Sequence, residues 1–141
     1  MLYCTPFLLF DGNCSEAMVF YRKCLGGKLT LTKLGDTPMK AMFSTKKHNR
    51  IINAHLKNGA VEISAADWMA SPEFKPKQGN MSAIFVVGKT YKELRVVFDK
   101  LKEGAEKERF QKLHEMPFGM YGQFYDKYGF HWIFKADKKE K

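Results

Sequence analysis

Cysteine is scarce in this chain of 141 residues, and no CxxC pair occurs among its three cysteines, Cys4, Cys14 and Cys24. An odd count without that spacing argues against a disulfide framework and against a zinc knuckle. No apolar run approaches the roughly 18–20 residues that a membrane helix needs. The N-terminus lacks the basic segment and the cleavage site of a signal peptide. These absences predict a cytoplasmic globular protein with reduced thiols.

Acidic residues are in the minority, with 15 Asp and Glu against 24 Lys and Arg, so the formal net charge is +9. Much of the excess lies in residues 38–50, which contain four basic side chains and no acid, and in the C-terminal tail. The sequence shows neither a basic helical stripe nor aromatics interleaved with basic residues, the patterns of nucleic-acid binders. We therefore expect a solvated basic surface, with an anionic partner such as nucleic acid as the alternative.

The same order of strand, turn, helix cap, helix and glycine occurs twice along the chain. In the first copy an apolar strand at 7–10 precedes Asn13 and Glu16, the spacing of a helix N-cap with a reciprocal carboxylate, and a helix is predicted over 13–25. In the second copy an apolar strand at 83–87 precedes Thr90 and Glu93, and a helix is predicted over 90–103. The two capping pairs are both offset by 77 positions, which indicates an internal duplication.

Hairpins complete each copy. Asn58-Gly59 between two alternating segments is a strong signal for a two-residue turn, and residues 126–129 separate the segments 119–125 and 130–135 in the second copy. Each half therefore reads βαβββ. We predict one domain over 1–141, with module one at 3–67, a linker at 68–80, module two at 81–136 and a basic tail at 137–141. A generic α+β domain without duplication is the other interpretation.

Motifs spread over nearly the whole chain identify a family resemblance. The chain resembles the PhnB-like branch of the vicinal oxygen chelate superfamily, which includes glyoxalases, extradiol dioxygenases and bleomycin-resistance proteins. The resemblance implies an α+β fold in which tandem βαβββ modules form a cupped, mostly antiparallel sheet with helices on the convex side, and it implies a homodimer. The motifs are TPFLLFDGNCSEA at 5–17, GDTPM at 35–39, NMS at 80–82, FGMYG at 118–122 and DKYGFHW at 126–132.

The resemblance also bears on cofactors. Metal-using relatives hold a divalent cation with His and Glu, but carrying those positions over lands on Pro6 (Thr5 if shifted by one), Ser64, Ser82 and Ile133. Because none of these is a ligand of that kind, we predict no catalytic metal. The branch has also been labelled as similar to a demethylubiquinone methyltransferase, which implies S-adenosylmethionine. The sequence has no glycine-rich turn of a dinucleotide-type site, so no cofactor is predicted.

Strand alternation predicts a polar face on the first module. With Asn58-Gly59 as the turn, Asn53, His55, Glu62 and Ser64 share one face, while the other face is apolar and is expected to pack against helices. His55 should stand directly opposite Glu62, a pairing of imidazole and carboxylate that can bind ligands or move protons. The other interpretation is a solvent-facing cross-strand ion pair.

The last strand predicts a second polar position. Trp132 and Phe134 form an apolar face, and His131 points the other way as a further candidate for the ligand-binding cup. Aromatic and sulfur side chains near the predicted mouth suit a flat organic ligand or, equally, a dimer interface. They are Trp68, Met69, Phe74, Met116, Phe118, Met120 and Tyr121, of which Trp68 and Tyr121 are ligand candidates.

These observations predict a cytoplasmic homodimer that binds a small organic molecule in a metal-free cup, without a membrane and without nucleic acid. One alternative is a metal-independent enzyme that uses the acid–base chemistry of His and Glu, and another is a resistance protein that sequesters a drug or toxin. The sequence leaves the ligand and any reaction open.

Overall fold

The computed structural model describes residues 2–69 and 72–137 of the chain. The chain divides into two compact units, residues 1–77 and 78–141. Each unit contains one α-helix and one four-stranded sheet. The predicted α+β class and the tandem βαβββ order are confirmed. The last four residues of the predicted basic tail, 138–141, and residues 70–71 of the predicted linker lie outside the described residues.

The first unit has the strand order β1-β4-β3-β2, with β1 parallel to β4 and the other neighbours antiparallel. Helix α1 packs on β2, β3 and β4. Three short 3-10 helices at 34–36, 38–42 and 45–47 fill the connection from β2 to β3, which includes the basic segment. The elements are β1 (Phe7–Phe10), α1 (Cys14–Leu25), β2 (Lys28–Lys33), β3 (Ile51–Asn58) and β4 (Val61–Asp67).

The second unit repeats this arrangement with the order β5-β8-β7-β6, in which β5 is parallel to β8. Helix α2 packs on β5 and β8. The first of its three later strands, β6, is the one that the sequence pattern did not locate. The elements are β5 (Ile84–Gly88), α2 (Tyr91–Leu101), β6 (Gln111–Met116), β7 (Gly119–Tyr125) and β8 (His131–Ala136).

Each sheet buries one face under its helix, because apolar side chains alternate along the strands. In the first unit this core contains Tyr21 and Leu56, both fully buried. In the second unit Phe98 of α2 packs edge-on against Phe124 and Phe134. Met120, expected at a ligand mouth, is only 5% exposed and belongs to this buried set. The prediction for Met120 was wrong because the alternation of β7 places it on the same side as Phe124.

The start of α1 differs from the prediction. Asn13 makes no side-chain capping bond, although its spacing to Glu16 is that of a capping box. The carboxylate of Asp67, at the end of β4, takes this role, because its Oδ1 accepts from the backbone N–H groups of Gly12 and Cys14. Cys14 is the first residue of the helix and is fully buried. A contact between residues far apart in sequence thus replaced a local one.

The first hairpin turns one residue later than predicted. Asn58 pairs with Val61, so the two turn residues are Gly59 and Ala60, and Gly59 has a φ of 59°. Asn58 stays in the strand, where its side-chain Nδ2 donates to the carbonyl of Leu25 at the end of α1. The direct opposition of His55 and Glu62 was therefore wrong: Glu62 lies opposite Lys57, and His55 lies opposite Ser64. The partner of each residue moves by two positions, from Glu62 to Ser64 for His55, and because side chains alternate with a period of two the predicted faces are kept.

A bulge changes the beginning of β3. The pairing of β2 with β3 shifts between Thr32 and Lys33, and Lys33 pairs with Ile51. Ile51 is buried and Ile52 is half-buried, whereas simple alternation placed Ile52 on the apolar face. Such a bulge lets two residues of one strand oppose one of its neighbour.

Within the described residues no helix is long and apolar enough to cross a membrane.

Candidate functional site

The sheet of the first unit carries a polar face on the side away from α1. Asn53 and His55 on β3 alternate with the buried Ala54 and Leu56, and Glu62 and Ser64 on β4 alternate with the buried Ile63 and Ala65. All four predicted polar residues are therefore on one side of two neighbouring strands. We call these four residues polar face 1, and they are Asn53, His55, Glu62 and Ser64.

His55 and Glu62 meet diagonally across the two strands. Nε2 of His55 lies 2.6 Å from Oε2 of Glu62, and Nζ of Lys57 lies 3.4 Å from the other carboxylate oxygen. The hydrogen bond from His55, followed by the contact with Lys57, lowers the pKa of Glu62 below its usual value. Glu62 is therefore a carboxylate at neutral pH, and it faces a histidine that can donate to it.

Ser64 extends polar face 1 towards the residues that precede β1. Its hydroxyl oxygen lies 2.9 Å from that of Thr5, and its backbone N–H donates to the carbonyl of Pro6. Hydroxyl groups can both donate and accept, so this pair can adapt to either kind of ligand group. Trp68, a further ligand candidate, follows β4 and is half-buried, and its backbone carbonyl accepts from Arg50 Nη1.

The sheet of the second unit has its own polar face, centred on His131. Nε2 of His131 donates to Oε1 of Gln123 over 2.7 Å. The side-chain nitrogen of Gln123 donates in turn to Oε1 of Gln111 at 2.6 Å and to the hydroxyl of Tyr121 at 3.3 Å. His131 and Tyr121 were predicted from the sequence as ligand candidates, and Gln123 was not. Its position on β7, two residues from Tyr121 on the same face, was the available signal.

Two further side chains, Tyr125 and Arg109, lie near His131. The Tyr125 ring stacks on the His131 imidazole with ring centres 4.3 Å apart, and the guanidinium of Arg109 lies 3.7 Å from the centre of the Tyr125 ring. Arg109 also donates through Nε and Nη2 to the two carboxylate oxygens of Glu106. Burial, and then the positive charge of Arg109, lower the pKa of His131. His131 is thus neutral at physiological pH. We call His131, Gln123, Tyr121, Tyr125 and Arg109 polar face 2.

A hollow of about 300 Å³ opens beside Arg109. It is lined by Gln78, Gly79, Asn80 and Arg109. This volume lies at the lower end of the range typical of small-molecule sites. Gln78, Gly79 and Asn80 belong to the segment that was predicted as a linker, where no site was expected.

The side chains at the inherited metal positions do not suit a divalent cation. Pro6 and Ile133 have no ligand atom, and the hydroxyl groups of Thr5 and Ser64 are hydrogen-bonded to each other. Transition-metal sites in proteins use His, Cys, Asp and Glu. Across residues 2–69 and 72–137, no three such side chains come together as a potential metal site. The residues present therefore do not fit the metal centre of the metal-using relatives.

The turn between β1 and α1 does not suit S-adenosylmethionine either. In dinucleotide-type folds, a glycine-rich turn offers the N–H groups at a helix N-terminus to the cofactor. Here the N–H groups of Gly12 and Cys14 donate to the buried Asp67 carboxylate. Burial and the Asp67 charge also raise the pKa of Cys14 to about 12, so its thiol stays protonated. The backbone N–H groups of Gly12 and Cys14 therefore already have a structural hydrogen-bond partner.

One protein-family model matches this chain. It is described as 3-demethylubiquinone-9 3-methyltransferase, and it covers residues 3–134. Among curated proteins, Protein YjdN of Escherichia coli strain K12 is 25% identical over 142 residues, with 96% of each chain covered.

Solved structures share the fold along the entire chain. Protein PA1353 from Pseudomonas aeruginosa is 26% identical, with a TM-score of 0.83 over 99% of this chain and 100% of that one. A putative 3-demethylubiquinone-9 3-methyltransferase, the PhnB protein from Bacillus cereus, is 22% identical with a TM-score of 0.71, over 96% and 99%. A glyoxylase/bleomycin resistance protein/dioxygenase domain from Frankia sp. EAN1pec is 18% identical with a TM-score of 0.63, over 99% and 98%. The predicted resemblance is confirmed by these matches.

Proposed function

The chain belongs to the PhnB-like family whose model is described as 3-demethylubiquinone-9 3-methyltransferase, and from this premise we propose that it binds a small organic molecule on the polar faces of its sheets. The proposal involves neither a bound metal nor S-adenosylmethionine. It is supported by the donor chemistry at the inherited metal positions and by the commitment of the β1–α1 turn to Asp67.

The observation that carries the proposal is the hydrogen-bonded pair of His55 and Glu62 on polar face 1. Both side chains are partly accessible, with 38% of His55 and 19% of Glu62 exposed. Since the opposite face of these strands is buried under α1, the pair lies on the side of the sheet that a ligand can reach. A carboxylate and an imidazole side by side offer a strong acceptor and a donor within one small area.

The chemistry of polar face 1 favours a ligand with hydroxyl or carboxyl groups. A ligand hydroxyl can donate to Glu62, and a ligand oxygen can accept from the Ser64 or Thr5 hydroxyl. Exposed apolar side chains on the neighbouring β1, Phe7 and Leu9, provide surface for the organic part of the ligand. The proposed ligand is therefore a small organic acid or alcohol with an apolar body.

We expect NMR titration with a set of small hydroxylated aromatic acids to shift the backbone signals of polar face 1. Glu62→Gln and His55→Gln should each raise the dissociation constant of the best compound about tenfold, which is the effect of losing one hydrogen bond to a charged group. Native mass spectrometry of the purified protein provides a second measurement, because a compound retained from the expression host would appear as added mass.

His48→Gln is the matched control. His48 is in the segment between β2 and β3, where its Nε2 donates to the carbonyl of Lys40, and its replacement should leave the dissociation constant unchanged. If no compound perturbs polar face 1, or if the control weakens binding as much as Glu62→Gln does, the binding proposal is wrong.

Catalysis and sequestration are the two ways in which binding could serve the cell. A sequestering protein releases its ligand unchanged, whereas an enzyme converts it. Mass analysis of the best compound after prolonged incubation with the protein separates them, because only an enzyme yields a product in excess of the protein concentration.

A further inference from the structure

Strand β2 adds a third strand to the polar side of the first unit's sheet. Because directly paired residues point to the same side of a sheet, Thr30, which pairs with His55, faces the same side as polar face 1. Two positions earlier, Lys28 pairs with Lys57, and Lys57 pairs in turn with Glu62. These three residues form a line across the neighbouring strands β2, β3 and β4. We call this line the charged row, and its members are Lys28, Lys57 and Glu62.

Positive charge is in excess along the charged row. The two carboxylate oxygens of Glu62 already have partners, because Oε1 lies 3.4 Å from Lys57 Nζ and Oε2 lies 2.6 Å from His55 Nε2. Lys28 is exposed, and across residues 2–69 and 72–137 no carboxylate pairs with its ammonium group. Like charges on directly opposite residues, whose Cβ atoms are about 5 Å apart, destabilise a sheet. An anion bound between Lys28 and Lys57 offsets this repulsion.

We propose that Lys28 and Lys57 bind the carboxylate of a hydroxylated organic acid, while Glu62 accepts a hydrogen bond from the hydroxyl group of the same molecule. An ammonium group only donates hydrogen bonds and a carboxylate only accepts them, so each end of the charged row selects a different group of the ligand. Lys28 therefore selects an acid over a neutral compound of the same shape. This inference rests on the proposed function, because selection requires that a ligand binds at polar face 1.

The order of charges along the row sets the orientation of the ligand. Lys57 lies between Glu62 and Lys28, and repulsion between two carboxylates falls with their separation. The carboxylate of the ligand is therefore bound best on the β2 side of the row. Adjacent strands are about 4.8 Å apart, so the hydroxyl and carboxyl groups of the ligand are separated by a body that extends from β2 towards β4. A benzene ring with the two groups at opposite positions suits this arrangement.

A comparison of 4-hydroxybenzoate with 4-hydroxybenzamide tests the proposal, since the two compounds have nearly the same shape and only the first is charged. NMR titration that follows the backbone signals of polar face 1 gives both dissociation constants. We expect the acid to have a dissociation constant about tenfold lower than the amide, which is the effect of a hydrogen bond between charged groups. Added sodium chloride should reduce this preference, because salt screens exposed charges.

Three variants assign the preference to its residue. Lys28→Gln should remove most of it by weakening the binding of the acid, while the amide binds as before. Lys28→Arg keeps the positive charge and should keep the preference. Lys23→Gln is the matched control, because Lys23 is an exposed lysine of α1, the helix that packs on the other side of the sheet. It should bind both compounds as the wild type does.

Thermal unfolding without ligand separates a binding role of Lys28 from a structural one. Lys28→Gln removes a pair of like charges, so its midpoint should be no lower than that of Lys23→Gln. A clearly lower midpoint would overturn the assignment, because the weaker binding would then follow from damage to the sheet. The salt dependence is measured on the wild type, so it remains decisive if Lys28→Gln is too unstable to titrate.

Equal affinities of the wild type for the acid and the amide would overturn the assignment, as would a preference that persists in Lys28→Gln or that salt leaves unchanged. The same titrations separate this failure from that of the proposed function. If both compounds bind polar face 1 without a preference, only the role of the charged row is wrong. If neither compound nor any other aromatic acid binds there, the binding proposal fails as well.

Discussion

At the scale of single residues, the Asp67 carboxylate connects several segments of the first unit. Its Oδ1 accepts from the backbone N–H groups of Gly12 and Cys14, and its Oδ2 accepts from that of Ile51, so that one buried group joins the β1–α1 turn, α1 and β3. Asp67 is only 3% exposed. A buried charge persists only when hydrogen bonds compensate for its lost hydration, and three backbone donors do so here.

Asp67→Asn should therefore be costly although it changes only one atom. The amide keeps one acceptor oxygen and turns an N–H group towards a backbone donor, which leaves at least one buried N–H unsatisfied. We expect the free energy of unfolding to fall by about 3 kcal/mol, as measured by urea denaturation at pH 7. Asp11→Asn is the matched control, because Asp11 is exposed and pairs only with Arg50 among the described residues, and it should cost less than about 1 kcal/mol. Equal losses would contradict the role assigned to Asp67.

At the scale of elements, the two copies of the repeat begin their helices by different means. The hydroxyl of Thr90 accepts from the backbone N–H of Glu93 at the start of α2, and the Glu93 carboxylate accepts from the N–H of Lys89. The start of α1 instead depends on Asp67, and Asn13 makes no capping bond with its side chain. The two copies have the same residue spacing, but α2 is capped locally by Thr90 and α1 by the distant Asp67.

This difference predicts unequal effects of removing the two residues. Thr90→Ala should lower the free energy of unfolding by about 1 kcal/mol, the usual cost of losing an N-cap. Asn13→Ala should cost no more than a few tenths of a kcal/mol, since its side chain caps nothing. Thermal unfolding of the two variants beside the wild type provides the comparison. A loss for Asn13→Ala as large as that for Thr90→Ala would show that the side chain of Asn13 stabilises α1 after all.

Apart from β6, element identity and order were predictable because local patterns determine them. The apolar stripes of α1 and α2 and the alternation along β3, β4 and β8 are properties of neighbouring residues. The hairpin register was not, because Asn58 hydrogen-bonds to Leu25 in α1 and remains in its strand. The bulge at Ile52 depends likewise on pairing with β2. The hairpin register and the bulge could not be predicted from the sequence because both depend on contacts between elements.

The candidate site shows the same division between local and long-range information. The polar side of β3 and β4 followed from alternation, which a register shift of two residues leaves intact. Arg109 could not be predicted, because it belongs to a connecting segment and reaches Tyr125 only through the folded chain. Alternation along β7 places Gln123 on the same face as Tyr121, so its position could have been predicted. It was not proposed as a site residue because an amide is a less specific signal than a histidine.

At the scale of the whole molecule, apolar side chains remain exposed on corresponding strands of the two units. Phe7 on β1 is 57% exposed, and Phe85 and Val87 on β5 are 58% and 57% exposed. Both strands are at the edge of their sheets. Edge strands with apolar side chains tend to find a partner, and large apolar patches on monomers usually mark interaction surfaces.

We therefore expect the protein to form a homodimer that buries Phe85 and Val87 in solution. Light scattering at micromolar concentration should give twice the chain mass of 16.3 kDa. Phe85→Lys places a charge on the apolar strand and should shift the mass towards that of one chain, because burying an unpaired charge costs several kcal/mol. Met81→Lys adds the same charge at a side chain that is 98% exposed and should leave the dimer intact. A wild-type mass of one chain would refute the dimer, and equal dissociation of the two variants would show that β5 does not form its interface.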